Sequence, residues 1–351
     1  MTEKPPAYCS SGILRDLKKL KRFLFRAFAL VVLAAGAAAF WFYSQIQPLN
    51  AADKPRLVRF RDATGLNLAL QRLEDGKIIR SALAAKIYAR IKKENPDVRI
   101  GTYELGANQS VEEIFASLKK PVRRMVRLPE TNWAARTANL LAKDQLGSAE
   151  EYMDLVRHPD EFKGDYEFPL PKDSLEGYLY PDTYDLPPLM TPKEVIRRQL
   201  DNFERRVWNG LGKPKNLHRV IIVASMVEME VKRDQERPIV AGVIANRLAK
   251  GMMLQIDAAI NYGLQKWRPL TYDDYRYVDS PYNLYRNKGL PPGPICSPSI
   301  KSIEAAMKPA KHKYLYYVAL PSGRSLFAAT YGEHLRNVAK RRSAVARGTP
   351  E

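Results

Sequence analysis

Two carboxylates stand two residues apart in ASMVEMEV (224–231), directly after the apolar run Val220-Ile221-Ile222-Val223. A carboxyl group at the edge of an apolar face loses hydration, which favours its neutral form and prepares it to act as a general acid near neutral pH. The run reads as a helix over about 217–231. Successive helical residues turn about 100°, so Glu228 and Glu230 point about 200° apart and cannot share one cleft as a catalytic pair. Both flank an apolar stripe centred near Val220, Val223, Ala224 and Val227. Periodicity therefore does not choose between them. The plainer alternative is that each is a solvated residue near a helix end, with Lys232 and Arg233 close by.

Other catalytic systems find little support. The chain has no HExxH, no GxSxG and no P-loop, and its four histidines (His158, His218, His312, His334) are scattered singly, so no metal site or cofactor is expected. The two cysteines, Cys9 and Cys296, lie on opposite sides of a long apolar segment and are not expected to pair; Cys296 reads as a small buried residue. Polar and aromatic residues gather instead in loops: EGYLYPDTY (176–184), LQID (254–257) and YNLY (282–285). Aromatic faces with amide and carboxylate groups beside them suit a sugar ligand.

The elements that must position these residues are mostly helices. The spacing of Leu83, Ile87 and Ile91 predicts a helix with those residues on its apolar stripe, and Ser110 with Glu113 signs the start of another. Residues 98–103 alternate like a strand. From about residue 122 a larger unit opens on a strand (125–128), followed by helices near 132–143, 148–157, 192–207, 217–231 and 236–250. A Pro- and Tyr-rich loop is expected from 168 to 188, a strand over 313–319 and a last helix over 332–340, with a frayed basic tail from Arg341.

Residues 27–43, AFALVVLAAGAAAFWFY, are 17 positions without a charge, and Phe40, Trp41, Phe42 and Tyr43 cluster at one end. About 20 apolar residues span a bilayer, and aromatic residues collect at its interface. The expected spans are a basic cytoplasmic tail (1–22), a single membrane anchor (23–45), a small α/β unit (46–121) and a larger mixed unit (122–345). Residues 1–26 hold seven basic against two acidic side chains, which places the N-terminus in the cytoplasm and all that follows the anchor outside. The chain carries +19 in all, leaving +14 beyond the anchor. On that side of the membrane the expected partners are anionic lipid head groups and cell-wall polymers rather than nucleic acid.

An ordered set of segments resembles the YceG-like family of endolytic murein transglycosylases: EGYLYPDTY (176–184), ASMVEME (224–230), RPIVAGVIANRLAKGMMLQID (237–257), NYGL (261–264), YNLY (282–285), GLPPGPICSPS (289–299), SIEAAMKPAKHKYLYYV (302–318) and GEH (332–334). More weakly, 101–103 with 110–114 resembles the family's LysM-like wall-binding subdomain. The resemblance implies an α+β fold with one N-terminal transmembrane helix. It implies cleavage of the β-1,4 bond between N-acetylmuramic acid and N-acetylglucosamine in nascent peptidoglycan, leaving 1,6-anhydromuramyl ends. It further implies an inner-membrane location and association with penicillin-binding proteins and the elongation machinery.

On that resemblance Glu228 is the catalytic residue, and Glu176, Tyr180, Gln255, Asp257, Tyr262, Asn283 and Tyr285 contact substrate. Glu230 and Arg247 support the site from behind. One glutamate fits a transglycosylase better than a two-carboxylate hydrolase. The sequence departs from the family pattern at Asp257-Ala258-Ala259, at Ser325 where histidine is usual, and at Pro129-Glu130-Thr131. The alternative these departures leave is a non-catalytic wall-binding scaffold.

Overall fold

The computed structural model describes residues 11–62 and 65–347, with side chains from residue 19 onward, so residues 1–10 of the basic segment, Cys9 among them, lie outside the described residues. The chain divides into two compact units after Val122. The first holds α1 (Ser11–Ile46), β1 (Arg56–Phe60), α2 (Leu66–Asp75), α3 (Ala82–Lys92), β2 (Gly101–Leu105) and α4 (Val111–Leu118). The stretch Lys19–Ile46 of α1 is long and apolar enough to cross a membrane, and none of it is buried against protein in its most apolar window. Its last turn differs: Phe42 and Ile46 pack against the core of the small unit.

That core lies between the antiparallel β1–β2 pair and three helices. Ser110 and Glu113 form the expected capping box at the start of α4. The stripe expected on α3 is reversed. Leu83 and Ile91 are exposed, and the buried face is Ala82, Ala84, Ala85, Tyr88 and Ala89. Small alanines let α3 approach its neighbours closely, while Tyr88 fills the remaining space edge-on to Phe115. Volume rather than hydrophobicity decided which side went in.

The larger unit comprises β3 (Met125–Leu128), α5 (Ala134–Lys143), α6 (Ala149–Arg157), β4 (Asp182–Asp185), α7 (Pro192–Phe203), α8 (Leu217–Glu230), α9 (Arg237–Ala249), α10 (Asp257–Gly263), α11 (Tyr272–Tyr277), α12 (Ile300–Met307), β5 (Tyr316–Ala319), β6 (Ser325–Ala328) and α13 (Tyr331–Arg347). Short antiparallel pairs β3–β4 and β5–β6 edge a mainly helical body. The Pro- and Tyr-rich segment is thus not all loop, because β4 crosses back to pair with β3. Residues 341–347 do not fray either: α13 runs to Arg347 with Ala344 buried, and the rest of the expected tail lies outside the described residues.

Helix α8 is the shared wall of two apolar clusters. Ile221 and Ala224 belong to one, with α5–α7; Ile222, Met226 and Val227 belong to the other, with α9, α10 and the loops before α12. This explains why its burial extends well beyond the single stripe the sequence suggested. A loop locks against it: Ile295 N–H donates to Ser225 Oγ at 3.0 Å, and the buried Cys296 thiol contacts Ser225 O. Gly177 sits at φ +82°, where a Cβ would lie 2.6 Å from Pro294 and 2.7 Å from Ile221. Gly177→Ala combines left-handed strain with overpacking and should lower unfolding free energy by about 2–4 kcal/mol, read from the denaturant midpoint in detergent.

Candidate active site

The two glutamates of α8 face different surroundings, as a 200° separation requires. Glu228 is 8% exposed. Its Oε2 accepts hydrogen bonds from Ser299 N–H at 2.9 Å and from the Ser299 hydroxyl, and lies 3.0 Å from Arg237 Nη1. Arg237 in turn reaches Asp234 and the Ser302 hydroxyl. Ser299 caps α12, so Glu228 joins α8 to the start of α12 and to α9 through a buried ion pair. It borders none of the cavities described below.

Glu230, the last residue of α8, instead opens into a cavity of about 460 Å³ shared with Arg247, Leu254, Gln255, Asp257, Tyr285, Tyr316, Tyr317, Tyr331 and His334. Burial pushes its carboxyl up to about 7, and the charge of Asp257 adds to the rise. Opposing this, Tyr317 Oη donates to Glu230 Oε2 at 2.7 Å and Arg247 contributes positive charge. A position at a helix C-terminus also disfavours a negative charge. The result is a half-buried acid that holds its proton well above the usual carboxylate range and faces open space.

Asp257, at the first turn of α10, accepts from Tyr285 Oη at 2.7 Å through one oxygen and from Tyr275 Oη at 3.2 Å through the other. Arg247 donates to the carbonyls of Leu254 at 2.8 Å, Met253 and Leu315, and to the Gln255 side chain at 3.2 Å, while its guanidinium stacks on Tyr316. It shapes the floor of the cavity. Gln255 takes a left-handed φ of +53°, and its N–H is held by Leu284 O at 3.1 Å. His334, stacked on Tyr316, is held below the usual imidazole range by burial and by Arg247.

The structure therefore brings Glu230, Arg247, Gln255, Asp257 and Tyr285 together, and it separates four others that the resemblance had grouped with them. Asn283 is fully buried; its amide donates to the carbonyls of Val278, Tyr275 and Asp274, and its oxygen accepts from Tyr285 N–H, so its polar atoms are engaged within the loop. Tyr180 is a core residue whose carbonyl accepts from Tyr184 Oη. Glu176 receives the Ala134 N–H at the start of α5, capping that helix from a distant loop. With Tyr262, whose hydroxyl points to it at 3.4 Å, Glu176 lines a different cavity of about 480 Å³ walled by Tyr178, Tyr282, His218 and prolines. Ser325 is not among the cavity residues; its N–H donates to Glu236.

Sequence reasoning missed Tyr316, Tyr317, Tyr331 and His334 as site residues. The signal was present in KYLYYV followed by YGEH. Two adjacent tyrosines on a short strand and an aromatic–histidine pair one turn apart on the next helix are an unusual density of polar aromatics.

Fold and cavity together define a mainly helical α+β body with a carboxyl of raised pKa at the wall of an aromatic cleft. A family model described as the YceG-like family matches residues 58–340. The chain belongs to that family. Two strains of Streptococcus pneumoniae carry relatives named endolytic murein transglycosylase, 30% identical over 351 residues. Those matches cover 89% of this chain and 63% of theirs, so the chain spans less than two thirds of the pneumococcal proteins' length. A Bacillus subtilis relative of the same name is 27% identical, covering 86% of this chain and 89% of its own. The crystal structure of a YceG-like protein from Listeria monocytogenes superposes with a TM-score of 0.54 at 28% identity, over 81% of this chain and 99% of that one.

The two glutamates should respond oppositely to substitution. Glu228→Ala leaves Arg237 buried beside a cavity and should cost about 3–5 kcal/mol. Glu230→Gln should leave stability unchanged at pH 5 and raise it at pH 8. In the folded protein Glu230 binds its proton up to about pH 7, while the unfolded group releases it near 4.5. The folded state thus holds more protons in that window, and its stability falls as pH rises through it. Glutamine removes that loss. Denaturant midpoints at the two pH values measure both effects.

Proposed function

We propose that this chain is a membrane-anchored lytic transglycosylase that cuts the N-acetylmuramic acid–β-1,4–N-acetylglucosamine bond inside peptidoglycan glycan strands, with Glu230 as its catalytic acid and base. The observation that carries the reading is the placement of Glu230 at the wall of an open aromatic cavity, where burial raises its carboxyl to about 7. Glu230 protonates the leaving glycosidic oxygen. The same carboxylate then takes the proton of the muramyl 6-hydroxyl as that oxygen attacks its own anomeric carbon. A 1,6-anhydro ring closes, and no water is consumed. Glu228 is moved from the catalytic role to a structural one, because using it would require breaking the buried bonds to Arg237 and Ser299.

Asp257 shares the cavity, which raises the possibility of a two-carboxylate hydrolase. Its geometry argues against that. Each oxygen of Asp257 already accepts a tyrosine hydroxyl, leaving it placed to orient Tyr285 and to stabilise positive charge at the anomeric carbon. Loss of the usual residues at 258, 259 and 325 leaves Glu230 and its partners intact, which favours the enzyme over the scaffold. In this reading the apolar stretch of α1 is a single-pass anchor in the cytoplasmic membrane with the N-terminus inside. The smaller unit is a LysM-like wall-binding element, and the enzyme ends strand growth beside penicillin-binding synthases of the elongation machinery.

Full-length protein in detergent should release 1,6-anhydromuropeptides from murein, seen by mass spectrometry. Glu230→Gln should abolish release, and Glu228→Gln should retain most of it in whatever fraction folds. Water-added products without anhydro ends would refute the transglycosylase, and the opposite pattern between the two variants would restore Glu228. The wild-type kcat should fall about tenfold per pH unit above about 7 as Glu230 loses its proton.

A further inference from the structure

The positive charge of the larger unit is unevenly placed. Residues 123–300 hold nearly equal numbers of basic and acidic side chains, whereas residues 301–351 hold ten lysines and arginines against three acids. The described part of this excess converges on α13 and the β5–β6 hairpin. A groove of about 710 Å³ is lined by Arg324, Arg336, Lys340 and Arg347 with Leu320, Leu326, Ala339 and Ser343, and no acid borders it. All four cations are exposed. Among the described residues none of them forms a salt bridge, and Arg336 lies close enough to Glu333 to lower that carboxyl slightly.

Stacking Arg336 and Lys340 at i, i+4 and facing them with Arg324 is unfavourable for the isolated protein, since like charges at that spacing destabilise a helix. The pattern makes sense against an anionic surface. Taking about 100° per residue, the outward face of α13 is centred on Leu335, Ala339 and Ala346, all exposed. Arg336, Lys340 and Arg347 flank it on one side, and Arg342 on the other. A shallow apolar strip bordered by cations is how a helix lies in a bilayer interface, its stems against the acyl boundary and its charges at the phosphates.

We propose that the outward face of α13, with Arg324, docks on the anionic head groups of the membrane that holds the anchor. The inference rests on the membrane-anchored reading above but not on the identity of the catalytic glutamate. Its consequence concerns the site directly, because the first turn of the same helix supplies Tyr331 and His334 to the Glu230 cavity. Docking α13 therefore fixes the distance of that cavity from the lipid surface, where newly made strands emerge.

The test uses the full chain with Cys9→Ser and Ala346→Cys, labelled with an environment-sensitive fluorophore at 346 and reconstituted into nanodiscs. Discs of phosphatidylcholine are compared with discs in which a third of the lipid is phosphatidylglycerol, each with and without a lipid-borne quencher. Quenching should be strong in anionic discs, weak in neutral ones, and reversed by high salt in the unmodified-charge protein. Each basic residue near such a surface is worth about a fivefold change in partition, so Arg336→Glu, Lys340→Glu and Arg347→Glu together should weaken docking about a hundredfold. Reversal of Lys215, Arg219 and Lys250 should not. Equal quenching in both kinds of disc overturns the proposal. So does protection of the label only on adding soluble polyphosphate, which would make an anionic polymer the partner. A chain that fails to enter the discs overturns both the docking and the anchor, while anhydromuropeptide release by the same samples reports the cleft independently.

Discussion

The arrangement of the site depends on one buried ion pair, Glu228 with Arg237, closed by the N–H and hydroxyl of Ser299. Helix α8 is walled by apolar clusters on two sides and has little freedom to present a polar group anywhere but at its edges. The pair uses one edge to hold α9 and the start of α12 against it. That contact fixes the rotation of α8 about its axis. With the rotation fixed, a residue two positions later must emerge about 200° away, on the side where α10 and β5 leave a gap. The pair itself is costly to desolvate, and its contribution is orientation more than net stability.

The chemistry of the gap follows from what surrounds Glu230. A carboxyl at a helix C-terminus, half out of water and near Asp257, has three reasons to keep its proton. The nearest cation, Arg247, is bonded to three backbone carbonyls and Gln255, so its charge reaches Glu230 only through space. Tyr317 supplies a single short hydrogen bond. These opposing effects leave the group near 7, where proton donation and recapture are both accessible. A second glutamate, Glu176, is raised to about 7 by burial as well and also lines a cavity, yet both its oxygens are held by the Ala134 N–H at the start of α5. A raised pKa beside a cavity therefore does not by itself mark a catalytic group.

Much of this was legible in the sequence, and the limits have physical causes. The membrane-length apolar run, the capping box at Ser110, helix α8 and the incompatibility of its two glutamates all follow from local periodicity. Which of those glutamates faces the cavity does not, because it depends on Arg237 and Ser299, which come from separate segments of chain, and on a strand that carries Tyr317. Resemblance by motif order selected Glu228 and gathered Asn283, Tyr180 and Glu176 into the same site, since a motif records which residues occur together without recording which way they face. Asn283 illustrates the difference: the same amide that could bind a sugar hydroxyl is saturated by three carbonyls. The reversed stripe on α3 is the same lesson in packing. Leucine and isoleucine at helical spacing predict a buried face only when the neighbouring elements leave room for them, and alanines with one tyrosine fitted better.

Helix α13 joins the two physical themes of the larger unit. Its first turn contributes an aromatic and a histidine to the half-closed cavity around Glu230, and its later turns present cations that need water or phosphate. Had the tail frayed from Arg341, the charge would be diffuse and unable to orient anything. Because Ala344 is buried, the helix continues to Arg347 and holds Arg336, Lys340 and Arg347 in one row. Charge fixed in a row acts on a flat anionic surface over its whole length, whereas the same charge on a flexible tail acts residue by residue and loses part of its effect to the entropy of ordering. The helical extension thus converts a composition bias into an orientation, and it does so on the element that also closes the cleft.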